Sequence, residues 1–231
     1  MKVRTLHRWD LPPAEAIAVQ QALRGLVVTH NDLGHIRTVA GVDISTAGKR
    51  AHAAIVVLRF PELEPLEAAE ADLPLTFPYV PGLLAFREAP AILAAVQELR
   101  IEPDLFVLDG QGLAHPRRMG IASHVGVILD KPSIGCAKSL LCGHCGQLGA
   151  GAGEHAEIMD KGTVIGAAVR TRTDTEPVYV SIGHKIDLPT AISYVLRCCS
   201  SYRVPEPTRW AHRVAGGAKL PSALAGQDKQ F

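Results

Sequence analysis

The sequence predicts an α/β fold, a single domain in which helices flank one mixed β-sheet. Two β-rich runs near the start, residues 35–45 and 51–60, are joined by a short loop with Gly48, which is typical of a β-hairpin. Further β-rich runs then alternate with helical segments, which is the pattern of a mixed sheet. No internal repeat or low-complexity linker divides the 231 residues, a length that one domain can contain.

The first half of the chain begins with a helix and continues with the hairpin. Prolines open residues 12–27, and good helix formers follow them, so this segment is predicted to be helical. A third extended run is expected in EPLEAAEADLPL, although its alanines favour a strand only weakly. Residues 88–100 have the apolar spacing of a second helix.

The second half alternates strands and helices. DLFVLDG, residues 104–110, is predicted to be a buried central strand with an exposed C-terminal end. RRMGIASHVGVILD indicates a helix and KPSIGCAKS a short strand, and the glycine-rich residues 143–153 indicate a loop. The remaining predicted elements are strands at 162–172 and 177–186 and helices at 189–200 and 207–216.

Composition excludes several classes of protein. Apolar residues make up 47% and charged residues 20%, which is typical of a globular chain and not of a disordered one. MKVRTLHRWD lacks the apolar run of a signal peptide, and no apolar stretch approaches the roughly 20 residues of a membrane helix. We therefore expect a cytoplasmic protein with no membrane association. Residues 116–231 carry 14 Lys and Arg against 9 Asp and Glu, which is compatible with a polyanionic partner.

Two aspartates stand near the ends of predicted strands, Asp43 in GVDIS and Asp109 in FVLDG. A carboxylate that follows an apolar strand must be solvated, hydrogen-bonded or bound to a cation, and each could also simply cap a turn. Together with Glu88 they would supply the oxygen ligands that Mg²⁺ prefers. Such a site activates water and offsets charge on a phosphate. Spacing alone leaves open whether the two strands are neighbours.

The stretch FPYVPGLLAFREAP holds one tyrosine between two prolines. Proline fixes φ and removes a backbone donor, so Pro78 and Pro81 stiffen the chain on either side of Tyr79. A packed loop and a ring presented to another molecule are both consistent with this pattern.

Six motifs, in their order and spacing, resemble those of the endonuclease V family, also called deoxyinosine 3′ endonucleases: GVDIS, PYVPGLLAFRE, DGQGLAHPRRMGIASHVGV, KPSIGCAKS, SIGHKIDLPTA and PEPTRWAH. The resemblance runs from about residue 10 to about residue 216. It implies a ribonuclease H-like fold, in which the first strand lies beside the fourth. That order would make Asp43 and Asp109 neighbours.

The resemblance also implies roles for individual residues. Asp43, Glu88 and Asp109 match the metal-binding acids, with Mg²⁺ as the activating ion and Mn²⁺ as a substitute. His212 matches a histidine of the same catalytic centre, and Lys138 matches a lysine near the scissile phosphate, where a cation would stabilise negative charge. These five residues form the expected catalytic set.

The matching wedge motif is Pro78, Tyr79, Val80 and Pro81, whose ring would separate the strands and help to extrude the target base. His115 matches a histidine beside the lesion pocket. Base recognition is expected from backbone groups of a glycine-rich set: Gly82, Leu83, Leu84, Gly110, Gln111, Gly112 and Leu113. Fewer than half of seven cations are expected to contact phosphates: Arg87, Arg117, Arg118, Lys131, Arg170, Arg172 and Arg209.

The activity that the resemblance implies is Mg²⁺-dependent DNA repair. The enzyme would recognise deoxyinosine, which is deaminated adenine, and hydrolyse the second phosphodiester bond on its 3′ side, leaving 3′-hydroxyl and 5′-phosphate ends. It would act as a monomer without an obligatory protein partner, and the residues after about 217 would form a flexible tail. Two alternatives stay open: an endoribonuclease for inosine in single-stranded RNA, and a lesion-binding protein without turnover.

Five cysteines in a chain without a secretion signal are expected to be reduced thiols. Cys142-Gly-His-Cys145, with Cys136 close in sequence, departs from the family pattern and could belong to a zinc or thiol-redox site. A lone C-x-x-C outside a strand–helix context is more often incidental, and this is the preferred interpretation.

Overall fold

One mixed β-sheet forms the centre of the protein. The structure, a computed structural model, describes residues 1–220, so most of the predicted tail after about residue 217 lies outside the described residues. Within that range nine strands pair in the order β3-β2-β1-β4-β5-β9-β8-β7-β6. They are β1 (Thr38–Ala47), β2 (Arg50–Arg59), β3 (Pro65–Pro74), β4 (Leu105–Leu108), β5 (Ser133–Ala137), β6 (His144–Cys145), β7 (His155–Asp160), β8 (Thr163–Val169) and β9 (Val178–His184).

Helices cover both faces of the sheet. They are α1 (Pro13–Leu23), followed by a 3₁₀ turn at Arg24–Leu26, α2 (Leu84–Gln97), α3 (Ile121–Leu129), α4 (Leu188–Arg197) and α5 (Glu206–Ala215). No helix in residues 1–220 is both long and apolar enough to cross a membrane. The predicted α/β fold with a ribonuclease H-like mixed sheet is confirmed.

Alternation along β2 divides the interior into two main layers. Ile55 and Val57 pack with α2 and α3 on one face, whereas Val56 and Leu58 pack with α5 on the other. The side chains of successive strand residues point to opposite faces, so both faces of this strand are apolar. Each fully buried aliphatic side chain stabilises the fold by about 1.5–3 kcal/mol. This packing fixes α2 and α3 on one side of the sheet and α5 on the other. The carboxyl end of the parallel β1–β4 pair lies between them.

β1 lies between β2, with which it is antiparallel, and β4, with which it is parallel. The parallel pairing ends at Val42 opposite Leu108, and the Asp109 N–H then donates to the Val42 carbonyl at 3.1 Å. The first strand therefore lies beside the fourth, as the family resemblance implied.

Two parts of the sequence prediction need correction. α2 spans Leu84–Gln97, so it begins and ends earlier than the predicted 88–100, because its apolar face of Ala89, Ile92 and Val96 extends upstream to Ala85. The loop predicted at 143–153 contains β6, and β7 follows it unpredicted. Only Ile158 of β7 is buried, so the strand has little apolar alternation and owes its structure to pairing with β8.

The residues that precede α1 are held against α2 and α3 by a cluster of rings. His7 lies between Trp9, Phe86 and His124, with centroid distances of 4.4, 5.2 and 4.8 Å. His7 Nδ1 donates to the Arg8 carbonyl, so its Nε2 accepts a hydrogen bond from the Nε2–H of His124, 2.7 Å away. His124 Nδ1 is buried without a hydrogen-bond partner. Burial lowers the pKa of His124 to about 3.

This buried imidazole should make folding sensitive to acid. Because the pKa of His124 is lower in the folded state than in the unfolded chain, stability is present above pH 6.5 and is lost as the pH falls. Between pH 6.5 and pH 5 the expected loss from this group is about 2 kcal/mol in the free energy of unfolding. Urea unfolding at both pH values measures it.

His124→Phe keeps a ring but removes the titration, so its unfolding free energy should depend less on pH than that of the wild type. His30→Gln, a change at an exposed histidine, is the matched control and should keep the wild-type dependence. An unchanged slope in His124→Phe would contradict the assignment.

Candidate active site

Two carboxylates meet at the carboxyl edge of the β1–β4 pair. Asp109 directly follows β4, and Asp43 follows the last residue of β1 that pairs with β4, although β1 itself continues to Ala47. Asp43 is only 8% exposed. Burial raises the pKa of Asp43, a hydrogen bond from His212 lowers it, and the charge of Asp109 raises it, so that the net direction is upward. The two acids are close enough to repel.

Each acid accepts a hydrogen bond from a side chain of another part of the chain. Lys138 Nζ, just past β5, donates to Asp109 Oδ2 at 2.5 Å. His212 Nδ1, on α5, donates to Asp43 Oδ2 at 3.0 Å. Burial lowers the pKa of Lys138, but its hydrogen bond to Asp109 and the charges of both acids raise it overall, so the ammonium stays protonated.

Close packing of α5 on β1 places His212 beside Asp43. Gly41 lies opposite the start of the helix, and a Cβ added to it would lie 1.9 Å from the Pro207 carbonyl oxygen. Any side chain there would push α5 off the strand and carry His212 away from the acid.

Glu88 reaches the same region from α2. Burial raises its pKa to about 7, Arg87 acts in the opposite direction, and the charges of Asp43 and Asp109 raise it further. The third predicted acid is therefore within electrostatic reach of the other two.

The donor types suit Mg²⁺, which takes one or two carboxylates and keeps waters or phosphate oxygens as its other ligands. In residues 1–220 no three His, Cys, Asp or Glu side chains converge closely enough to hold a metal ion as they stand. Asp43 and Asp109 on adjacent strands, with Glu88 facing them, nevertheless offer the carboxylates that such an ion requires.

A cavity of about 320 Å³ opens beside Asp109. Asp109, Gly110, Gln111 and Lys138 are among the residues that line one part of it. Another part is lined by the loop before α2 and by His115: Tyr79, Val80, Pro81, Gly82, Leu84 and His115.

Four residues of the predicted wedge and pocket do not line this cavity: Pro78, Leu83, Gly112 and Leu113. Leu83 is instead buried with Phe77 and Phe86 under the loop. The backbone N–H groups of Gly112 and Leu113 bond to β9, at Ser181 Oγ and the Ile182 carbonyl, both at 2.8 Å. These residues support the walls of the cavity because their packing is directed inward.

Tyr79 stands free at the rim of the cavity with 73% of its surface exposed. Both ends of its loop are fixed: the Arg87 guanidinium donates to the Phe77 carbonyl at 2.9 Å, and the Leu83 N–H donates to the Val80 carbonyl at 2.9 Å. Phe77 is buried below. The loop therefore presents one ring outward on a rigid base.

The carbonyl of Gly82 accepts hydrogen bonds from three side chains. Gln20 Nε2, His115 Nε2 and Arg117 Nη2 lie 3.0, 2.9 and 2.6 Å from it. Gly82 has a φ of +79°, a conformation that suits glycine. We call these three side chains the Gly82 clamp.

The hydrogen bonds of the clamp determine which nitrogen of His115 is protonated and how the Gln20 amide is oriented. A carbonyl only accepts, so His115 carries its proton on Nε2, and burial lowers its pKa to about 4, which keeps the ring neutral. Gln20, on α1, also accepts from Arg117 Nε at 2.5 Å and donates to the Met119 carbonyl. No sequence motif marks Gln20; its signal is a polar residue on the buried side of α1.

All seven cations considered for phosphate contacts bond to other groups of the protein. Their partners are Phe77 for Arg87, Gly82 and Gln20 for Arg117, Asp160 for Arg118, Glu102 for Lys131, Gly149 and Thr175 for Arg170, Ser201 for Arg172, and Glu206 for Arg209.

The cysteines lie in unlike surroundings. Cys136 is buried in β5, and burial raises its pKa well above the usual value, so the thiol stays protonated. Cys142 and Cys145 lie at the edge strand β6, not at the start of a helix. Neither belongs to a group of three metal-binding side chains in the described part of the chain.

A ribonuclease H-like sheet with two carboxylates side by side on adjacent parts of the chain is the arrangement expected of one class, the nucleases of this fold. Comparisons with known proteins give the family. The sequence model of endonuclease V matches residues 21–213. The endonuclease V of Roseiflexus sp. (strain RS-1) is 54% identical over 213 residues, which is 92% of this chain and 96% of that protein. The chain belongs to the endonuclease V family, which consists of nucleases.

Solved structures agree with this assignment. The endonuclease V of Streptomyces avermitilis is 40% identical, with a TM-score of 0.87 over 94% of this chain and 97% of that one. The endonuclease V of Ciona intestinalis, in complex with a 24mer DNA containing an inosine followed by a ribo-adenosine, is 30% identical. Its TM-score is 0.79 over 88% of this chain and 96% of that one.

Gln20→Ala tests the clamp. It removes a donor to Gly82 and leaves Arg117 Nε without its acceptor, so the free energy of unfolding should fall by about 1–3 kcal/mol. The backbone amides of residues 79, 80, 82 and 83 should also exchange faster. Gln21→Ala, an exposed change one position further along α1, is the control and should shift stability by less than about 0.5 kcal/mol. Equal effects of the two changes would show that the clamp is not stabilising.

Proposed function

We propose that this protein is a repair endonuclease that recognises deoxyinosine in DNA. It hydrolyses the second phosphodiester bond 3′ to the lesion, with Mg²⁺ or Mn²⁺ as cofactor, and leaves 3′-hydroxyl and 5′-phosphate ends. The observation that carries the proposal is the cavity that opens against Asp109 and Lys138, because it brings a base-sized recess next to candidate phosphate chemistry. The Ciona relative bound to inosine-containing DNA supports the same substrate.

Asp43 and Asp109, with Glu88, are the residues that would hold the metal ion. When bound, the ion supplies an activated water and offsets negative charge on the phosphate. His212 keeps the Asp43 carboxylate oriented through its 3.0 Å hydrogen bond. Lys138 is the cation placed to stabilise charge on the phosphate oxygens, since its pKa is raised and it remains an ammonium.

Tyr79 supplies the wedge in this proposal. Extruding a base costs a few kcal/mol and is easiest at a weak pair, such as one that contains hypoxanthine. The ring is already exposed and its loop is already fixed, so little conformational freedom is lost when it fills the vacated space. Pro78 and Pro81 restrict the loop further.

The base enters between the loop before α2 and the turn after β4. Backbone groups of Gly82, Leu84, Gly110 and Gln111 line this space and are the expected contacts. His115 remains a neutral ring whose proton is engaged by Gly82, so it shapes the pocket and does not act as an acid.

One observation favours a second substrate, inosine in RNA. The DNA in the Ciona complex carries a ribo-adenosine directly after its inosine. A ribose at that position is therefore compatible with binding in a relative.

The reaction is tested with end-labelled duplexes that differ only in one deoxyinosine, incubated with Mg²⁺ or with EDTA. We expect one Mg²⁺-dependent nick at the second phosphodiester bond on the 3′ side. Asp109→Ala should abolish cleavage and leave binding to the inosine duplex detectable, because it removes a strand-end carboxylate without touching the pocket loop. Asp32→Ala, which changes an exposed carboxylate, should cleave normally.

Cleavage by Asp109→Ala at the wild-type rate would overturn the proposed roles of the acids. Binding without a nick in the wild type would favour a lesion-binding protein, and the same assay with inosine RNA follows. A requirement for the 2′-hydroxyl would assign the activity to RNA.

Tyr79→Ala should lower kcat/KM on duplex substrate by about tenfold to a hundredfold, since the ring no longer offsets the cost of base extrusion. On single-stranded inosine DNA, which needs no strand separation, the loss should be smaller. Tyr79→Phe keeps the ring and should retain most activity on both substrates. Equal losses on duplex and single strand would contradict the wedge.

A further inference from the structure

The surface formed by the α4–α5 connection and by α5 is rich in cations. Residues 202–219 contain Arg203, Arg209, Arg213 and Lys219 but a single acid, Glu206. Glu206 is buried and pairs with Arg209, so its charge is turned inward. The outward face of this segment is therefore positive.

Aromatic rings alternate with these cations. Arg209 lies over the ring of Tyr202 at 4.2 Å and beside that of Trp210 at 5.8 Å, and Arg213 lies over Trp210 at 4.4 Å. Tyr202 is 51% exposed, so about half of its surface remains open to solvent. We call Tyr202, Arg209, Trp210 and Arg213 the α5 platform.

The platform is joined to both sides of the candidate active site. His212, on the same helix, bonds to Asp43. Arg203, next to Tyr202, donates from Nη2 to the Lys138 carbonyl and to the Pro177 carbonyl, each at 2.8 Å. The platform therefore keeps a fixed position relative to Asp43 and to Lys138.

The platform and the base-sized cavity lie on opposite faces of the sheet. The cavity is lined by residues of α2 and α3, such as Leu84, Ala85 and Ile121, whereas α5 packs on the other face. Asp43 and Asp109 lie at the sheet edge between them. If a base occupies the cavity and a phosphate lies at the acids, the strand reaches the sheet edge beside α5.

We propose that the α5 platform binds the nucleic-acid strand on the 3′ side of the scissile bond. The direction rests on the proposed function, because cleavage 3′ to the lesion makes the 3′ portion the part that passes the acids. The exposed ring of Tyr202 offers a stacking surface for a base, which tolerates any sequence. Arg213, which is exposed at the end of the platform, contacts a phosphate.

Within the platform, Arg209 positions the ring of Tyr202. Arg209 is held by Glu206 through Nε at 2.8 Å and faces Tyr202, so it fixes the ring and is not itself a free phosphate ligand. Substitution of Tyr202 or Arg213 should therefore change strand binding and leave the buried pair of Glu206 with Arg209 intact.

The test measures binding in EDTA, where no strand is cut. Two DNAs share one deoxyinosine and one 5′ arm; the 3′ arm either ends just past the expected nick or continues as a long arm. Wild type should bind the long-armed DNA more tightly. Tyr202→Ala should reduce the ratio of the two affinities by about fivefold to tenfold, and Tyr202→Phe should preserve it.

Arg213→Ala should reduce the same ratio and lower the slope of log affinity against log salt by about one on the long-armed DNA. Arg37→Ala is the matched control, since it removes an exposed arginine at the opposite end of β1. It should leave both the ratio and the slope unchanged.

The proposal would be overturned if Tyr202→Ala and Arg213→Ala left the ratio of the two affinities unchanged. Equal losses of affinity on the two DNAs are one form of that result. Failure of the proposed function has a different signature. In that case wild type would not distinguish either DNA from a matched one with deoxyadenosine in place of deoxyinosine.

Discussion

The parallel pairing of β1 with β4 is the constraint on which the rest of the site depends. It ends at Val42 and Leu108, so the next residue of each strand is an aspartate, and the two carboxylates emerge side by side. Such a pair is electrostatically costly without compensation. Lys138, just past β5, bonds to one acid, and His212 of α5 bonds to the other. The neighbouring elements are thereby linked to the edge of the sheet by side-chain hydrogen bonds as well as by packing.

The two faces of the sheet carry different surfaces. On the face covered by α2 and α3, the loop that carries Tyr79 and the turn after β4 enclose the cavity. On the face covered by α5, cations and rings line the surface. Gly41 is what lets the second face approach so closely, because any larger residue would meet Pro207. A substitution in a strand interior therefore acts on the orientation of His212, a residue far away in sequence.

Sequence patterns were sufficient wherever the signal is local. The hairpin, the central strand and the acids that follow apolar runs could all be located from residue type and spacing. The adjacency of Asp43 and Asp109 could not, because strand order is a non-local property, and it came from the family resemblance. Gln20 was missed because an amide in a helix has no motif, and β7 was missed because pairing rather than apolar alternation creates it. α2 begins four residues before the predicted start at Glu88, because Ala85 extends its apolar face upstream.

The three hydrogen bonds to the Gly82 carbonyl have a kinetic consequence. They join α1, the loop before α2 and the turn after β4 into one rigid unit, so the recess has its shape before any nucleic acid arrives. A preformed recess leaves little induced fit to the protein, so under the proposed function the rearrangement that forms the specific complex takes place mainly in the nucleic acid. Weakly paired bases open more often and are sampled more often. Under the proposed function, discrimination between damaged and intact DNA would therefore begin with the strength of the base pair that the Tyr79 wedge opens.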